Sequence, residues 1–164
     1  MELILPASAV TSGTLGILKP GDLFYSVRRG ALCLCLKFDG SNVSAGYVVL
    51  DGDQSLCVHE VNRTSGANVS VIQQPTSALF TKIQPGGAMS ADVGSLLVGA
   101  EGAFAVVRLS RAGDSWDAHY LSIATWTLHF AEPRHDVAFS NWQLVARMPD
   151  GSDQVVFTTD HWAT

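Results

Sequence analysis

Residues 29–61 read RGALCLCLKFDGSNVSAGYVVLDGDQSLCVHEV, and the stretch holds all three cysteines of the chain. Three apolar runs, Ala31–Phe38, Tyr47–Leu50 and Leu56–Val61, are separated by Asp39-Gly40 and Asp51-Gly52. A type I′ hairpin turn needs positive φ at both central residues, so Asp-Gly between β-rich runs is among the strongest local hairpin signals. The stretch therefore predicts a three-stranded antiparallel meander. Ala31–Phe38 is almost continuously apolar, which places it mid-sheet with both faces covered.

The same grammar recurs on either side. Lys19-Pro20-Gly21-Asp22 marks a turn ahead of a strand at Leu23–Arg28, and residues 1–19 are expected to form a short edge strand or an N-terminal arm. Asn68–Gln73 alternates as a strand. Thr76 has the chemistry of an N-cap, and Leu79, Phe80 and Ile83 can share a helical face, so Ser77–Ile83 is the one short helix expected. Leu96–Ala100 and Ala103–Ser110 flank Glu101-Gly102, and His119–Phe130 reads as one long strand. Ser140–Met148 and Gln154–Thr159 flank Pro149-Asp150-Gly151-Ser152.

Roughly nine or ten strands at this spacing predict an all-β fold, a single domain over 1–164 built as an antiparallel sandwich or partly closed barrel. The segments YVVLDGDQSLCV, LLVGAEGAFAVV and QLVARMPDGSDQVV are alike. Each is a strand–turn–strand, and we read the likeness as hairpin grammar rather than as a duplicated domain.

Apolar residues make up 47% of the 164 and charged residues 15%, with a mean hydropathy of +0.21. Soluble domains carry about 25% charged residues. The chain is therefore expected to cover part of its surface with a second copy of itself, as a homo-oligomer. The apolar runs break well short of the roughly 20 residues a membrane helix needs. MELILPASAV has Glu2 where a signal peptide is basic, and Pro6 interrupts its apolar run. No membrane association and a cytoplasmic location are the resulting expectations. Net charge is −5, and the ten Lys and Arg form no basic stripe, which argues against nucleic-acid binding.

Among the candidate sites, Cys33-x-Cys35 and Cys57-x-His59 each present two ligands on one face of a strand. Together they make a Cys3His set of the kind that holds structural zinc, the single cofactor the sequence could take. The middle strand of the meander would keep the pairs about 9–10 Å apart, twice the interstrand spacing. The plain alternative is three reduced thiols filling core as small apolar groups, with no cofactor. Cys33 and Cys35, two apart on one strand, are too far from each other for a disulfide.

Glu132, His135 and Asp136 form a His/carboxylate cluster suited to acid–base or metal-assisted catalysis; a solvated loop is the alternative. His119 and His129 lie about 33 Å apart along an extended strand and could share a site only if that strand bends sharply. Trp126 and Trp142 fall on apolar strand faces. Trp116 and Trp162 are the tryptophans expected to contact a ligand or partner. The triplets headed by Asn42, Asn62 and Asn68 match N-x-Ser/Thr, a glycan signal only in a secreted chain. No GxGxxG follows a strand, and GxxxxGK[ST], HExxH and CxxC are missing. The expected function is a non-enzymatic, oligomeric β-domain that binds an unidentified ligand or partner or serves as a structural unit. An enzyme using Glu132, His135 and Asp136 is the alternative.

Overall fold

Ala31–Phe38 (β3), Ser44–Val49 (β4) and Cys57–Asn62 (β5) pair in order as the antiparallel meander that the Asp-Gly turns predict. The computed structural model describes residues 11–40, 44–62, 70–84, 91–110 and 116–159. A second meander, Gly102–Ser110 (β9), Trp116–Ser122 (β10) and Thr127–His129 (β11), has the same pairing. A three-stranded meander begins and ends in the same direction. Joining two of them side by side about one axis therefore makes both joins parallel. β5 runs parallel to β9, and β11 parallel to β3, closing a six-stranded barrel. Each seam is two residue pairs long: Cys57 with Arg108 and Val58 with Leu109, then Thr127 with Lys37 and Leu128 with Phe38. All other pairings are antiparallel.

The equivalence of the meanders extends beyond the barrel. Leu23–Ser26 (β2) leads into β3 as a hairpin, and Leu96–Gly99 (β8) leads into β9 likewise. Ser70–Gln74 (β6) pairs with β2, and Val137–Phe139 (β12) with β8. Ala78–Ile83 (β7) and Trp142–Arg147 (β13), the strands that follow, pair with each other. Two segments, β2–β7 and β8–β13, thus repeat one topology. The three alike segments of the sequence are themselves antiparallel hairpins, β4–β5, β8–β9 and β13 with the strand after it, and they fall at non-equivalent places of the two segments, so their likeness is that of strand–turn–strand units. Thr11–Thr14 (β1), an edge strand on β6, and Asp153–Thr158 (β14), an edge strand on β13, lie outside the repeat.

Backbone details repeat too. The positive-φ non-glycine residues of the described chain are Leu56 (φ 62°) and Trp126 (φ 53°), each at the entrance to a seam. That conformation disfavours side chains by about 1 kcal/mol or more. Both residues hold it with matching hydrogen bonds. The Leu56 N–H donates to the Val49 carbonyl at 2.8 Å and the Trp126 N–H to that of Ser122 at 2.9 Å. Their own carbonyls accept from the Arg108 and Lys37 N–H groups, both at 3.0 Å, which starts each seam. Gly21 (φ 94°) and Gly94 (φ 100°) are likewise equivalent, each donating to the following strand, at the Cys35 and Val106 carbonyls.

Packing follows from strand alternation. Leu32, Leu34, Leu36, Val48, Val58, Val107, Leu121 and Leu128 share the barrel interior. The opposite faces form two outer clusters: Phe24, Cys33, Cys35, Tyr47 and Val49 in the first half, and Leu97, Phe104, Val106 and Tyr120 in the second. Leu15 and Leu18 cover the first of these. The sheet β14-β13-β7 adds Trp142, Leu144 and Phe157 to the interior cluster, with the Trp142 indole N–H donating to the Gly94 carbonyl at 2.8 Å.

Two expectations give way. Residues 77–83 form strand β7 instead of a helix. Pairing with β13, far along the chain, outweighs the local pattern: Leu79 packs on the core while Phe80 lies beneath the Arg147 guanidinium at 5.3 Å. Thr76 donates to the Ala78 and Arg147 carbonyls, each at 3.2 Å, instead of capping. Residues 119–130 are a hairpin, not one strand. The turn ending at Trp126 folds β11 back on β10 so that Tyr120 faces His129.

Candidate functional site

The hairpin brings together residues that a straight strand would have kept apart. Tyr120 and His129 are directly paired on the outer face of the second half, and Tyr47 and His59 occupy the equivalent positions in the first. The two pairs face charges of opposite sign.

In the first half the charge is Arg29, from the four-residue β2–β3 loop 27–30. Its Nε donates to the Tyr47 hydroxyl at 3.3 Å and one Nη to Gln54 Oε1 at 3.1 Å; the other Nη lies 3.1 Å from His59 Nδ1. A guanidinium can only donate, so His59 Nδ1 is the acceptor and its proton sits on Nε2. Burial, and then the Arg29 charge, lower the His59 pKa to about 4. The His59 Nε2 atom is buried without a hydrogen-bond partner.

In the second half the charges are carboxylates. The Tyr120 hydroxyl donates to Glu132 Oε2 at 3.4 Å, and His129 Nδ1 lies 3.0 Å from Asp39 Oδ2, which makes Nδ1 the donor. Burial and the Glu132 charge raise the Tyr120 pKa. The β8–β9 loop has two residues, Ala100-Glu101, against the four of its counterpart, and Glu132 and Asp39 take the Tyr120 and His129 atoms that correspond to those Arg29 holds in the first half. A cleft of about 450 Å³ opens there, lined by Asp39, Glu101, Phe104, His129, Phe130 and Glu132. Phe104 meets the His129 ring edge-on at 5.7 Å, and Phe130, half exposed, stacks on Phe38 at 6.5 Å. Behind Phe130, at 5.1 Å, lies His119, whose Nδ1 is 2.6 Å from the Ala118 carbonyl and whose Nε2 is buried without a partner.

The other sequence candidates distribute as follows. Glu132 and His135 come together, with His135 Nδ1 3.7 Å from Glu132 Oε1, while the exposed Asp136 turns its backbone N–H to the Val98 carbonyl. Cys33, Cys35 and Cys57 are buried free thiols. Cys35, Tyr47 and His59 form one cross-strand row, so the Tyr47 ring stands between thiol and imidazole. Among the described residues no three His, Cys, Asp or Glu side chains gather as metal ligands would. Burial pushes the Cys33 thiol up to about 12, with the Asp51 charge adding to it. Trp116 opens β10, and Trp162 lies outside the described residues.

Sequence reasoning missed Asp39, Glu101 and Phe104 as site residues, because they sit in hairpin turns and an apolar strand. The signal that could have found them was the recurrence of tyrosine and histidine at matching places in two strand pairs. No family model, curated protein or solved structure matches the chain.

Proposed function

We propose that the protein is a non-enzymatic binding module whose ligand or partner contacts lie in the second-half cleft. The observation that carries this reading is a concave site of about 450 Å³ with two aromatic walls and three carboxylates, drawn from both halves of the barrel. Pockets of that size with a few fixed polar groups are the usual form of binding sites. Self-association belongs to the same reading: 15% charged residues is few for a lone domain, and a second copy would cover apolar surface. Three free, buried thiols suit a reducing, cytoplasmic setting.

The test is an amide-resolved NMR screen of the full chain against small cations, anions and neutral sugars, with sedimentation equilibrium alongside. Shifts clustered at residues 39–40, 101 and 129–133 support the cleft, and shifts elsewhere overturn it. A concentration-independent mass of 17.5 kDa overturns self-association. The Glu132–His135 contact favours a second reading, an acid–base enzyme. Turnover abolished by both Glu132→Gln and His135→Gln would replace the binding reading with that one.

A further inference from the structure

The two halves repeat one topology but differ in what their outer Tyr–His pairs hold. In the first, the Tyr47–His59 pair holds a guanidinium that the chain supplies itself, from the loop that precedes β3. In the second, the matching loop is two residues shorter, Glu132 and Asp39 take the corresponding Tyr120 and His129 atoms, and a cleft opens beside these carboxylates. The walls of that cleft have changed to match: Asp39 and Glu132 are held by His129 and Tyr120, and Glu101 stands in the shortened loop.

We infer that the second-half cleft binds a guanidinium group presented by another molecule, an arginine side chain of a peptide or protein, against the carboxylates that Tyr120 and His129 hold in place. This deepens the binding reading above and rests on it. Carboxylates on separate elements suit a planar donor with five N–H groups, which pairs with carboxylates in fork geometry. Half-exposed Phe130 lines the cleft, and a flat guanidinium stacks on an aromatic ring better than a compact, strongly hydrated ammonium does. The net charge of −5 draws such a partner from a distance. Shape and sign thus agree on one chemistry.

The test is a titration of the 15N-labelled full chain with acetyl-Gly-Arg-Gly-amide and with its citrulline counterpart, which keeps the shape and loses the charge. The arginine peptide should shift the amides of Asp39, Gly40, Glu101 and 129–132, and the citrulline peptide should bind at least tenfold more weakly. Asp39→Asn and Glu101→Gln should each weaken the arginine peptide at least threefold. Glu101 lies on an exposed turn, so Glu101→Gln carries the test if Asp39→Asn does not fold. Equal binding of the two peptides, shifts centred elsewhere, or unchanged affinity in both variants would overturn the inference. So would a response of the same amides to millimolar Mg²⁺ or Ca²⁺ with none to the peptide. If the arginine peptide fails while another probe shifts the cleft amides, the guanidinium falls and the binding reading stands. If no probe reaches the cleft, both fall.

Discussion

Tyr47 and His59 hold a cation; Tyr120 and His129, at the same positions of the repeated topology, hold two carboxylates. The two halves share their seams, their positive-φ entrances and the Gly21/Gly94 pair, while the groups on the outer wall differ. A cross-strand pair of a phenol and an imidazole permits this because each can donate or accept. The polarity of the wall is reversed by the Asp39 and Glu132 carboxylates, toward which His129 Nδ1 and the Tyr120 hydroxyl donate, where His59 Nδ1 and the Tyr47 hydroxyl accept from Arg29.

That comparison can be broken most forcefully at the end of the leading hairpin. Ser26 and Gly99 are equivalent. Ser26 is fully buried, its hydroxyl 3.3 Å from the Arg29 N–H, whereas a Cβ on Gly99 would meet the Arg134 carbonyl oxygen at 2.5 Å. Gly99→Ser should therefore cost about 3 kcal/mol in urea unfolding, and Ser26→Gly about 1 kcal/mol. Equal costs would show that the halves are not packed differently here.

Gly21 and Gly94 come next. Both have positive φ, but a Cβ on Gly21 would lie 2.6 Å from the Trp126 indole, and one on Gly94 only 3.9 Å from Leu56 Cδ1. Gly21→Ala should lose about 2–3 kcal/mol and Gly94→Ala about 1 kcal/mol, the backbone part alone. Identical losses would assign the whole effect to φ.

The charge difference predicts a smaller, pH-dependent effect. The His59 pKa falls from 6.5 to about 4 on folding, through burial first and Arg29 second. Between those values the unfolded chain binds the extra proton, so stability is intact above about pH 6.5 and declines as pH falls toward 4. A fully buried ring would lose roughly 3 kcal/mol over that span. His59 is partly exposed, and solvent screening reduces the loss to about 1–2 kcal/mol. The difference in stability between wild type and His59→Gln, measured at pH 7 and pH 4.5, should narrow by that amount. A difference independent of pH would remove the titration.

The smallest effect is expected at Cys35, whose counterpart in the second half is Val106. Cys35→Val should stay within about 1 kcal/mol of wild type, because a buried thiol packs as a small apolar group. A large loss, or loss of a bound metal, would instead favour the zinc set.

The hairpins were legible because turn chemistry is local: Gly40, Gly52, Gly102 and Gly151 all take the positive φ that their Asp-Gly or Glu-Gly contexts announce. The barrel closure was not. Its seams join Cys57 to Arg108 and Lys37 to Thr127, and the strained residues that launch them are a leucine and a tryptophan, which carry no turn signature. The repeated topology was hidden because few equivalent positions share a residue type. Gly21-Asp22-Leu23 against Gly94-Ser95-Leu96 is one such trace, and the unequal leading loops shift the register between repeats. Of the site residues Glu132 was legible, and His135, singled out with it, lies 3.7 Å from Glu132 Oε1 but outside the lining of the cleft. Asp39 and Glu101 read as turn residues because they are turn residues, and only the tertiary pairing turns them toward one cleft.

The brevity of the two parallel seams bears on how the barrel forms and opens. Each meander can assemble from neighbours in sequence, whereas each seam closes a long loop for two residue pairs of ladder. Closure is therefore the late step of folding, and the seams are the lines along which the wall parts first. In native-state hydrogen exchange, the Lys37 and Arg108 amides, which bond across the seams to Trp126 and Leu56, would open before the interior of either meander. The molecule would then behave as two staves hinged by short zips, with the cleft at Asp39 and His129 lying on one of them.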